Sequence, residues 1–234
     1  MAQKKLKRFR ELGTFSNVMQ YPENAAGNWK VHFGNDHPVD LELACGRGEY
    51  TVGLASIYPN KNFIGVDIKG NRMWVGAKKA LENKLTNAAF LRTQIDKISA
   101  YFTVGEVNDI WITFPDPQLR GSKAKKRLTH PKFLRLYKQI LSPQGTIHLK
   151  TDSPDLYHFT KLVAGIYNLK VITDYTDLYG NNSLPPELSI KTHYERLNIA
   201  NSNSIFYLAF TLPVIMEEND DQLHDLLKLE MIAE

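Results

Sequence analysis

Short apolar runs alternate with amphipathic segments along most of the chain. Seven runs have the length and apolar content of β-strands: residues 39–44, 62–67, 88–92, 109–114, 146–150, 169–174 and 205–211. Helices are predicted between them at residues 49–57, 71–84, 131–141 and 154–167. Within residues 71–84, apolar side chains recur at helical spacing at Trp74, Ala77, Ala80 and Leu81. This strand–helix alternation predicts a mostly parallel, doubly wound α/β sheet.

The ends of the predicted strands are the natural place for a binding site. Residues 109–114 are apolar almost throughout, as in a strand whose two faces are both covered by helices. Ligands of such sheets bind beyond the carboxyl ends of the strands, near the point where the strand order reverses. The residues that follow each predicted strand are therefore the candidates for a functional site.

Composition predicts a globular, cytoplasmic protein. With 234 residues, 43% of them hydrophobic and 23% charged, the chain can bury the core of one domain. No apolar run approaches the roughly 20 residues that cross a bilayer. The basic N-terminus lacks the apolar stretch of a signal peptide. The single cysteine, Cys45, fits a reducing compartment. We expect a monomer or a homodimer without membrane contact.

Charge is distributed unevenly, which the net charge of +4 conceals. Residues 213–234 carry seven acids and one lysine, so residues 1–212 carry a net charge of +10. Five Lys or Arg lie within the first ten residues and five more lie in residues 120–127, and neither of these two clusters contains an acid. One basic cluster is usual for a solvated surface, but two on one domain favour a polyanionic partner. We predict a basic extension (1–35), a catalytic domain (36–212) and an acidic tail (213–234).

Two segments depart from the strand–helix alternation. Residues 175–204 are rich in Asn, Ser, Pro and Gly, and a loop of this length in a compact domain is usually functional or disordered. In the tail, Leu223, Leu226, Leu227 and Met231 recur at helical spacing. That spacing predicts a helix that docks on the domain, folds over the basic surface or frays.

The segment after the first predicted strand indicates a cofactor site. Gly46 and Gly48 let the chain turn sharply and bring its backbone close to a ligand. Thr51 stands where a dinucleotide fingerprint has its third glycine, which argues against NAD. A backbone nest with Glu42 at its entrance suits the cationic ammonium of S-adenosylmethionine. Cys45 has no histidine neighbour in sequence, which favours a small buried thiol over a nucleophile.

The next two strand ends strengthen the cofactor prediction. Asp67 ends its strand twenty-five residues after Glu42, where a carboxylate can accept both ribose hydroxyls. The structural alternative for Asp67 is a helix cap. Gln94 follows the third strand and can both donate to and accept from an adenine edge. Three such features in this order make a nicotinamide cofactor the less favoured choice.

A candidate catalytic residue follows the fourth strand. Pro115 and Pro117 fix the backbone on both sides of Asp116, which directs its carboxylate from the strand end toward the cofactor. The alternative is an aspartate that only stabilises a rigid turn. The basic loop that follows can position the phosphates of a nucleic acid. It contains Arg120, Lys123, Lys125, Lys126 and Arg127.

Several motifs together carry a family resemblance. Phe114, Pro115, Asp116 and Pro117, followed by Lys125, Lys126, Arg127 and Leu128, resemble the Phe-x-Asp-Pro-Trp and Lys-Arg-Arg-Leu signature of bacterial tRNA (guanine-N7)-methyltransferases. Residues 149–152 and 192–195 resemble the family's Thr-Asp strand end and its Thr-x-Tyr/Phe-Glu element. Residues 27–50 are also typical. The resemblance spans roughly residues 27–212. It implies a Rossmann-like class I methyltransferase with seven strands, the last antiparallel.

The resemblance also implies roles for individual residues. The cofactor, S-adenosylmethionine, would be lined by Glu42, Gly46, Gly48, Asp67, Gln94 and Asp116, and Asp116 would be catalytic. The tRNA substrate would contact Arg120, Asp152, Thr192, His193, Tyr194 and Glu195. The basic residues Lys123, Lys125, Lys126 and Arg127 would bind the RNA. No metal is required. For Asp152 and Glu195, the structural alternative is a hydrogen bond or ion pair within the loop.

This sequence departs from the family pattern at four positions. Gln118 replaces a tryptophan, which weakens any argument for base stacking there. Arg120 replaces a lysine and keeps its charge, Lys123 replaces a common histidine, and Gln94 replaces Asp or Asn. Three other functions stay open at this point: a small-molecule or protein methyltransferase, an inactive tRNA-binding protein and a nicotinamide dehydrogenase.

Overall fold

The computed structural model describes residues 2–181, 183–197 and 204–233. Its strands form one mixed sheet. They are β1 (Val18–Gln20), β2 (Val39–Leu43), β3 (Asn62–Asp67), β4 (Ala88–Arg92), β5 (Val107–Thr113), β6 (Thr146–Thr151), β7 (Lys170–Tyr175) and β8 (Phe206–Thr211). The strand order is β1-β4-β3-β2-β5-β6-β8-β7.

The helices of the described residues alternate with these strands. They are α1 (Ala2–Leu12), α2 (Trp29–Phe33), α3 (Glu49–Ile57), α4 (Gly70–Glu82), α5 (Pro131–Lys138), α6 (Pro154–Ile166), α7 (His193–Leu197) and α8 (Asp220–Ala233). Short 3-10 helices lie at Ile95–Ala100, Gly121–Lys126, Leu178–Gly180 and Pro186–Ser189. None of the helices described is long and apolar enough to cross a membrane.

The predicted fold is confirmed, with one added strand. The seven predicted strands correspond to β2 through β8, and the four predicted helices correspond to α3, α4, α5 and α6. Strands β1 to β6 pair in parallel, and β8 pairs antiparallel with both β6 and β7. The added strand, β1, has only three residues. A run this short shows no alternation of apolar and polar residues from which a strand can be predicted.

Alternate residues of the central strands pack on opposite faces of the sheet. Leu41 and Ile112 point to a core shared with α5 and α6, whereas Phe90 and Trp111 point to a core shared with α3 and α4. Both faces are therefore dry, and only the edges and ends of the strands meet solvent. A functional site on this sheet has to lie at the strand ends.

Local signals in the sequence fix where the helices on the first face begin. Ser153 caps α6 by accepting a hydrogen bond from the Leu156 amide at 3.2 Å, and Pro154 occupies the first turn. The ring of His130 caps α5 in the same way, followed by Pro131. The cap of α6 places the start of that helix directly after the strand end that carries Asp152.

Both ends of the described chain pack on the domain. Helix α1 lies along α4, and Leu12 at its end is fully buried. Helix α8 lies against α6, with Leu223 2% exposed and with Arg135 paired to Asp220, at 2.6 Å between Nη2 and Oδ1. The predicted tail helix therefore docks on the domain. The proposed division at residues 35 and 212 stays a prediction.

Candidate active site

The order in which the chain adds parallel strands reverses at β2, in the centre of the sheet. From β2 the chain continues outward through β3 to β4, and it then returns to β5 on the other side of β2. The loops after β2 and β5 therefore separate in opposite directions and leave a crevice between Ala44 and Phe114. Both residues line a cavity of about 980 Å³.

This cavity collects many of the residues singled out from the sequence. Eight of them lie on its wall: Gly46, Asp67, Gln94, Asp116, Lys125, Lys126, Asp152 and Tyr194. The remaining predicted residues do not line it: Glu42, Gly48, Arg120, Lys123, Arg127, Thr192, His193 and Glu195. The wall residues come from five strand ends, the basic loop and α7.

The Asp67 carboxylate connects the loop after β2 that contains Gly46 and Gly48 (the glycine loop) to the start of α4. Its Oδ2 accepts from the Gly46 amide at 2.9 Å, and its Oδ1 accepts from the Lys69 amide at 2.8 Å. Each carboxylate oxygen has a further lone pair, so these bonds leave acceptor capacity toward the cavity. Gly46 and Gly48 have φ angles of 55° and 68°, a region that favours glycine. The sharp turn predicted there is confirmed.

Glu42 lies beneath the loop, inside the sheet. Its Oε2 accepts from the amide and the hydroxyl of Thr51, and its Oε1 accepts from the Thr113 hydroxyl at 3.2 Å. Burial raises the pKa of Glu42 to about 8, and the Thr51 bonds oppose that rise. In this structure Glu42 stabilises the turn from its buried side. Its contact with a cofactor ammonium stays a prediction. Cys45 is likewise buried.

The loop after β5 is held in an uncommon backbone conformation. Phe114 and Gln118 have φ angles of 48° and 50°, and Ala44 across the crevice has 54°. Non-glycine residues rarely adopt this region, and such residues cluster at functional sites. The Asp116 Oδ1 accepts from the Gln118 amide at 3.0 Å, while the side chain as a whole is exposed on the cavity wall. The rigid turn therefore presents a carboxylate to the crevice.

The basic loop separates into an exposed and a buried part. Lys123, Lys125 and Lys126 are exposed, and Ala124 between them anchors the 3-10 helix in the core. Arg127 is only 6% exposed. Its guanidinium donates to the Pro117 carbonyl and to those of the two residues that follow, and it stacks on the ring of Phe159. Arg127 thus supports the Asp116 loop, and its predicted contact with RNA stays a prediction.

A buried lysine connects the long segment after β7 to the edge of the sheet that borders the cavity. The Lys150 ammonium donates to the carbonyls of Leu188 and Ile190, each at 3.0 Å, and to the Tyr179 hydroxyl at 3.0 Å. It also pairs with Glu195, at 3.2 Å between Nζ and Oε2. Burial lowers the pKa of Lys150 to about 8, against the opposing effect of Glu195.

The predicted recognition element forms the start of α7. Thr192 Oγ1 accepts from the Glu195 amide at 3.1 Å, and Glu195 Oε2 accepts from the Thr192 amide at 3.3 Å. This reciprocal pair is a capping box. It directs Tyr194 onto the cavity wall, while Glu195 turns to Lys150. The ion pair that the sequence offered as the alternative role of Glu195 is therefore present, and substrate contact by Thr192, His193 and Glu195 stays a prediction.

Sequence reasoning missed several charged residues of the cavity. Arg72, on α4, lines the cavity, and its guanidinium carbon lies 5.5 Å from the centre of the Tyr194 ring. Lys69 also lines the wall, and Lys132 pairs there with Asp96. Arg72 lies five residues after Asp67, in the first turn of α4, and that position was the available signal. No sequence signal predicted that Lys132 lies beside Asp96, which follows the third predicted strand, because only tertiary packing brings the two together.

The cavity fits S-adenosylmethionine. Its size is within the roughly 300–1,000 Å³ of small-molecule sites. Asp67 ends a parallel strand beside the glycine turn, where a carboxylate can accept ribose hydroxyls, and Gln94 is exposed on the wall beside Ile95, where it can meet an adenine edge. The described residues contain no group of three His, Cys, Asp or Glu arranged to hold a metal ion.

The strand order, the cavity at the point where that order reverses and the polar residues that line it define a class I methyltransferase whose cofactor is S-adenosylmethionine. The comparisons with known proteins agree. A family model described as "putative methyltransferase" matches residues 36–208. The 16S rRNA methyltransferase KamB superposes with a TM-score of 0.62 at 15% identity, over 84% of this chain and 99% of that one. A 16S rRNA (adenine(1408)-N(1))-methyltransferase mutant from Catenulisporales acidiphilia, solved with cosubstrate SAM, gives 0.55 at 14% identity over 79% and 90%.

Curated relatives identify the family within that class. A tRNA (guanine-N(7)-)-methyltransferase of Bacteroides thetaiotaomicron is 44% identical over 95% of this chain and 92% of its own length. Its counterpart in Porphyromonas gingivalis is 49% identical over 85% of this chain and 86% of its own. The chain therefore belongs to the tRNA (guanine-N(7)-)-methyltransferase family. The resemblance found in the sequence is confirmed, and a small-molecule or protein substrate is not favoured.

Proposed function

We propose that this chain transfers the methyl group of S-adenosylmethionine to N7 of a guanine in the variable loop of tRNA. The observation that carries the proposal is the combination on one cavity wall of Asp67 at a strand end, Asp116 on a strained turn and a basic rim. The relatives named above supply the substrate class. A tRNA substrate also favours a cytoplasmic location.

The chemistry demands alignment more than a strong base. Guanine N7 carries an in-plane lone pair, so no proton leaves before it attacks the sulfonium methyl. The carbon–sulfur bond breaks as the carbon–N7 bond forms, and positive charge moves onto the purine. Positioning alone can supply roughly 7–11 kcal/mol of such a reaction's acceleration.

The residues of the cavity would divide this work. Asp67 and Gln94 would hold the nucleoside part of the cofactor from adjacent strand ends. Asp116 and Asp152, from the next two strands, would face the purine, stabilise its developing positive charge and accept its N1 and N2 hydrogens. Lys125 and Lys126, on the rim, would hold the RNA backbone while the base enters.

Labelled methyl transfer to tRNA that lacks N7-methylguanine tests the proposal. We expect incorporation at a single variable-loop guanine, mapped by chain cleavage at the modified base. The matched control is the same tRNA with 7-deazaguanine at that position, which keeps the base-pairing edge and removes only N7. Label in the control tRNA at that base would contradict methylation at N7. Binding of S-adenosylmethionine without any tRNA labelling would show that the substrate is a different one.

A further inference from the structure

A second cavity of about 380 Å³ lies on the other side of the glycine loop. Gly46 faces the cofactor cavity, whereas its neighbour Arg47 lines the second one. The segment before and within α7 also borders both cavities. Tyr194 lies on the wall of the first cavity, and Lys191 and Arg196 lie on the wall of the second. The loop and this segment are thus a partition between two cavities.

The second cavity is strongly basic. Four cations line it, Arg47, Lys79, Lys191 and Arg196, against one acid, Glu49. Within the part of the chain that the structure describes, no carboxylate lies at ion-pair distance from any of the four cations. Some other cations of the domain, such as Lys61 and Lys161, do have carboxylate partners.

Close packing of the backbone brings these charges together. A Cβ on Gly76 would lie 2.5 Å from the Arg47 carbonyl oxygen and 3.0 Å from the Cα of Gly48. Helix α4 can therefore rest directly on the glycine loop only because Gly76 has no side chain. Lys79 follows one turn later on the same helix face and lines the cavity beside Arg47.

The segment that carries Lys191 also packs closely on its neighbour, helix α3. A Cβ on Gly53 would lie 2.9 Å from the Cδ1 of Ile190, so the segment that carries Lys191 packs flush on α3. Lys150 fixes that segment from within by holding the Ile190 carbonyl. The four cations therefore extend from three backbone elements that pack closely on one another, so their points of attachment are held together, as an anion site requires.

We propose that this second cavity binds the phosphodiester backbone of the tRNA while the target guanine occupies the first cavity. The inference rests on the proposed function and adds a substrate contact on the far side of the partition. Uncompensated cations in a concave site attract phosphate oxygens and release condensed counterions on binding. Tyr194 lines the first cavity, and Lys191 and Arg196 of the same segment line the second, so an RNA held by both cavities would cross this segment.

Charge removal with a matched control tests this proposal. The variants are Lys79→Gln alone and Arg47→Gln with Lys79→Gln. The control is Lys78→Gln, the adjacent exposed lysine of α4, which pairs with Glu82 and lines neither cavity. The Kd for tRNA is measured across a salt series, and the Kd for S-adenosylmethionine is measured in parallel. We expect the double variant to raise the tRNA Kd on the order of tenfold and to reduce the salt slope by about one per removed charge.

Three results would overturn the proposal. Lys79→Gln could match Lys78→Gln in both Kd and salt slope, which would show that the cavity does not contact RNA. The double variant could lose affinity for S-adenosylmethionine and for tRNA equally, which would show an effect through the glycine loop instead. Finally, a wild-type chain that bound the cofactor but no tRNA would overturn the proposed function as well, so the two failures are distinguishable.

Discussion

The ammonium of Lys150 and the carboxylate of Glu195 form an ion pair in the interior, 3.2 Å apart between Nζ and Oε2, with side-chain exposures of 0% and 4%. The pair joins the end of β6, two residues before Asp152, to the first turn of α7, beside Tyr194. It therefore couples a strand of the sheet to the segment that separates the two cavities.

Removing both partners of this ion pair should cost less stability than the two single losses added together. Lys150→Met leaves the Glu195 carboxylate buried without its cation, bonded only to neutral donors, the Thr192 amide and the Tyr179 hydroxyl. Removing one partner of a buried ion pair costs about 3–5 kcal/mol. We expect Glu195→Gln to be costly as well, and the double variant to lose clearly less than the sum of the two. Urea unfolding of all four proteins measures this coupling. Strictly additive losses would show that the two side chains stabilise the fold independently.

Asp116→Asn should reduce methyl transfer far more than tRNA binding. The variant keeps the size of the side chain and the bond to the Gln118 amide but removes the charge that faces the crevice. We expect single-turnover rates at saturating S-adenosylmethionine to fall on the order of 10²-fold, with a nearly unchanged Kd for tRNA. Asp221→Asn, on the exposed side of α8, controls for loss of one acid. Equal loss of rate and affinity would contradict a catalytic role for Asp116.

The lysines of the basic loop and Arg127 should give opposite phenotypes. Replacing Lys125 and Lys126 by Gln should leave the unfolding midpoint unchanged, weaken tRNA binding and reduce its salt dependence by about one per charge. Arg127→Met removes hydrogen bonds to three backbone carbonyls, so we expect a loss of stability of about 1–3 kcal/mol. A stable Arg127→Met protein with weakened tRNA binding would assign Arg127 to the RNA after all.

Stability should depend on pH through Glu42. Its pKa is about 8 in the folded state against 4.5 in the unfolded state, so between these values the folded protein holds a proton that the unfolded chain has lost. The contribution of Glu42 to stability is complete below pH 4.5 and decreases as the pH rises to about 8. Glu42→Gln cannot ionise, so we expect it to gain stability relative to wild type between about pH 5 and pH 8.5.

Urea midpoints at several pH values measure this difference, with Glu82→Gln, an exposed acid on α4, as the control. Parallel pH profiles for wild type and Glu42→Gln would contradict the buried, proton-holding state of Glu42.

The fold class and part of the wall of the strand-end cavity are encoded locally in the amino-acid sequence. Apolar runs and their spacing are local properties, so they predict seven strands and the helices after them. Gly46, Asp67 and Asp116 lie at or just after strand ends, and parallel strands bring their carboxyl ends to one edge whatever the details of packing. The amino-acid sequence alone is therefore enough to name these three residues.

The roles of the charged residues, by contrast, are set by tertiary packing. Arg127 and Lys126 are neighbours in one basic run, yet one supports a loop from beneath while the other is exposed on the cavity wall. Lys150 lies within strand β6 and meets Glu195, which is forty-five residues further along the chain. Arg47 and Lys79 share a cavity because Gly76 lets α4 touch the glycine loop. What a charged group does depends on its burial and on partners distant in sequence, which hydrophobic periodicity does not encode.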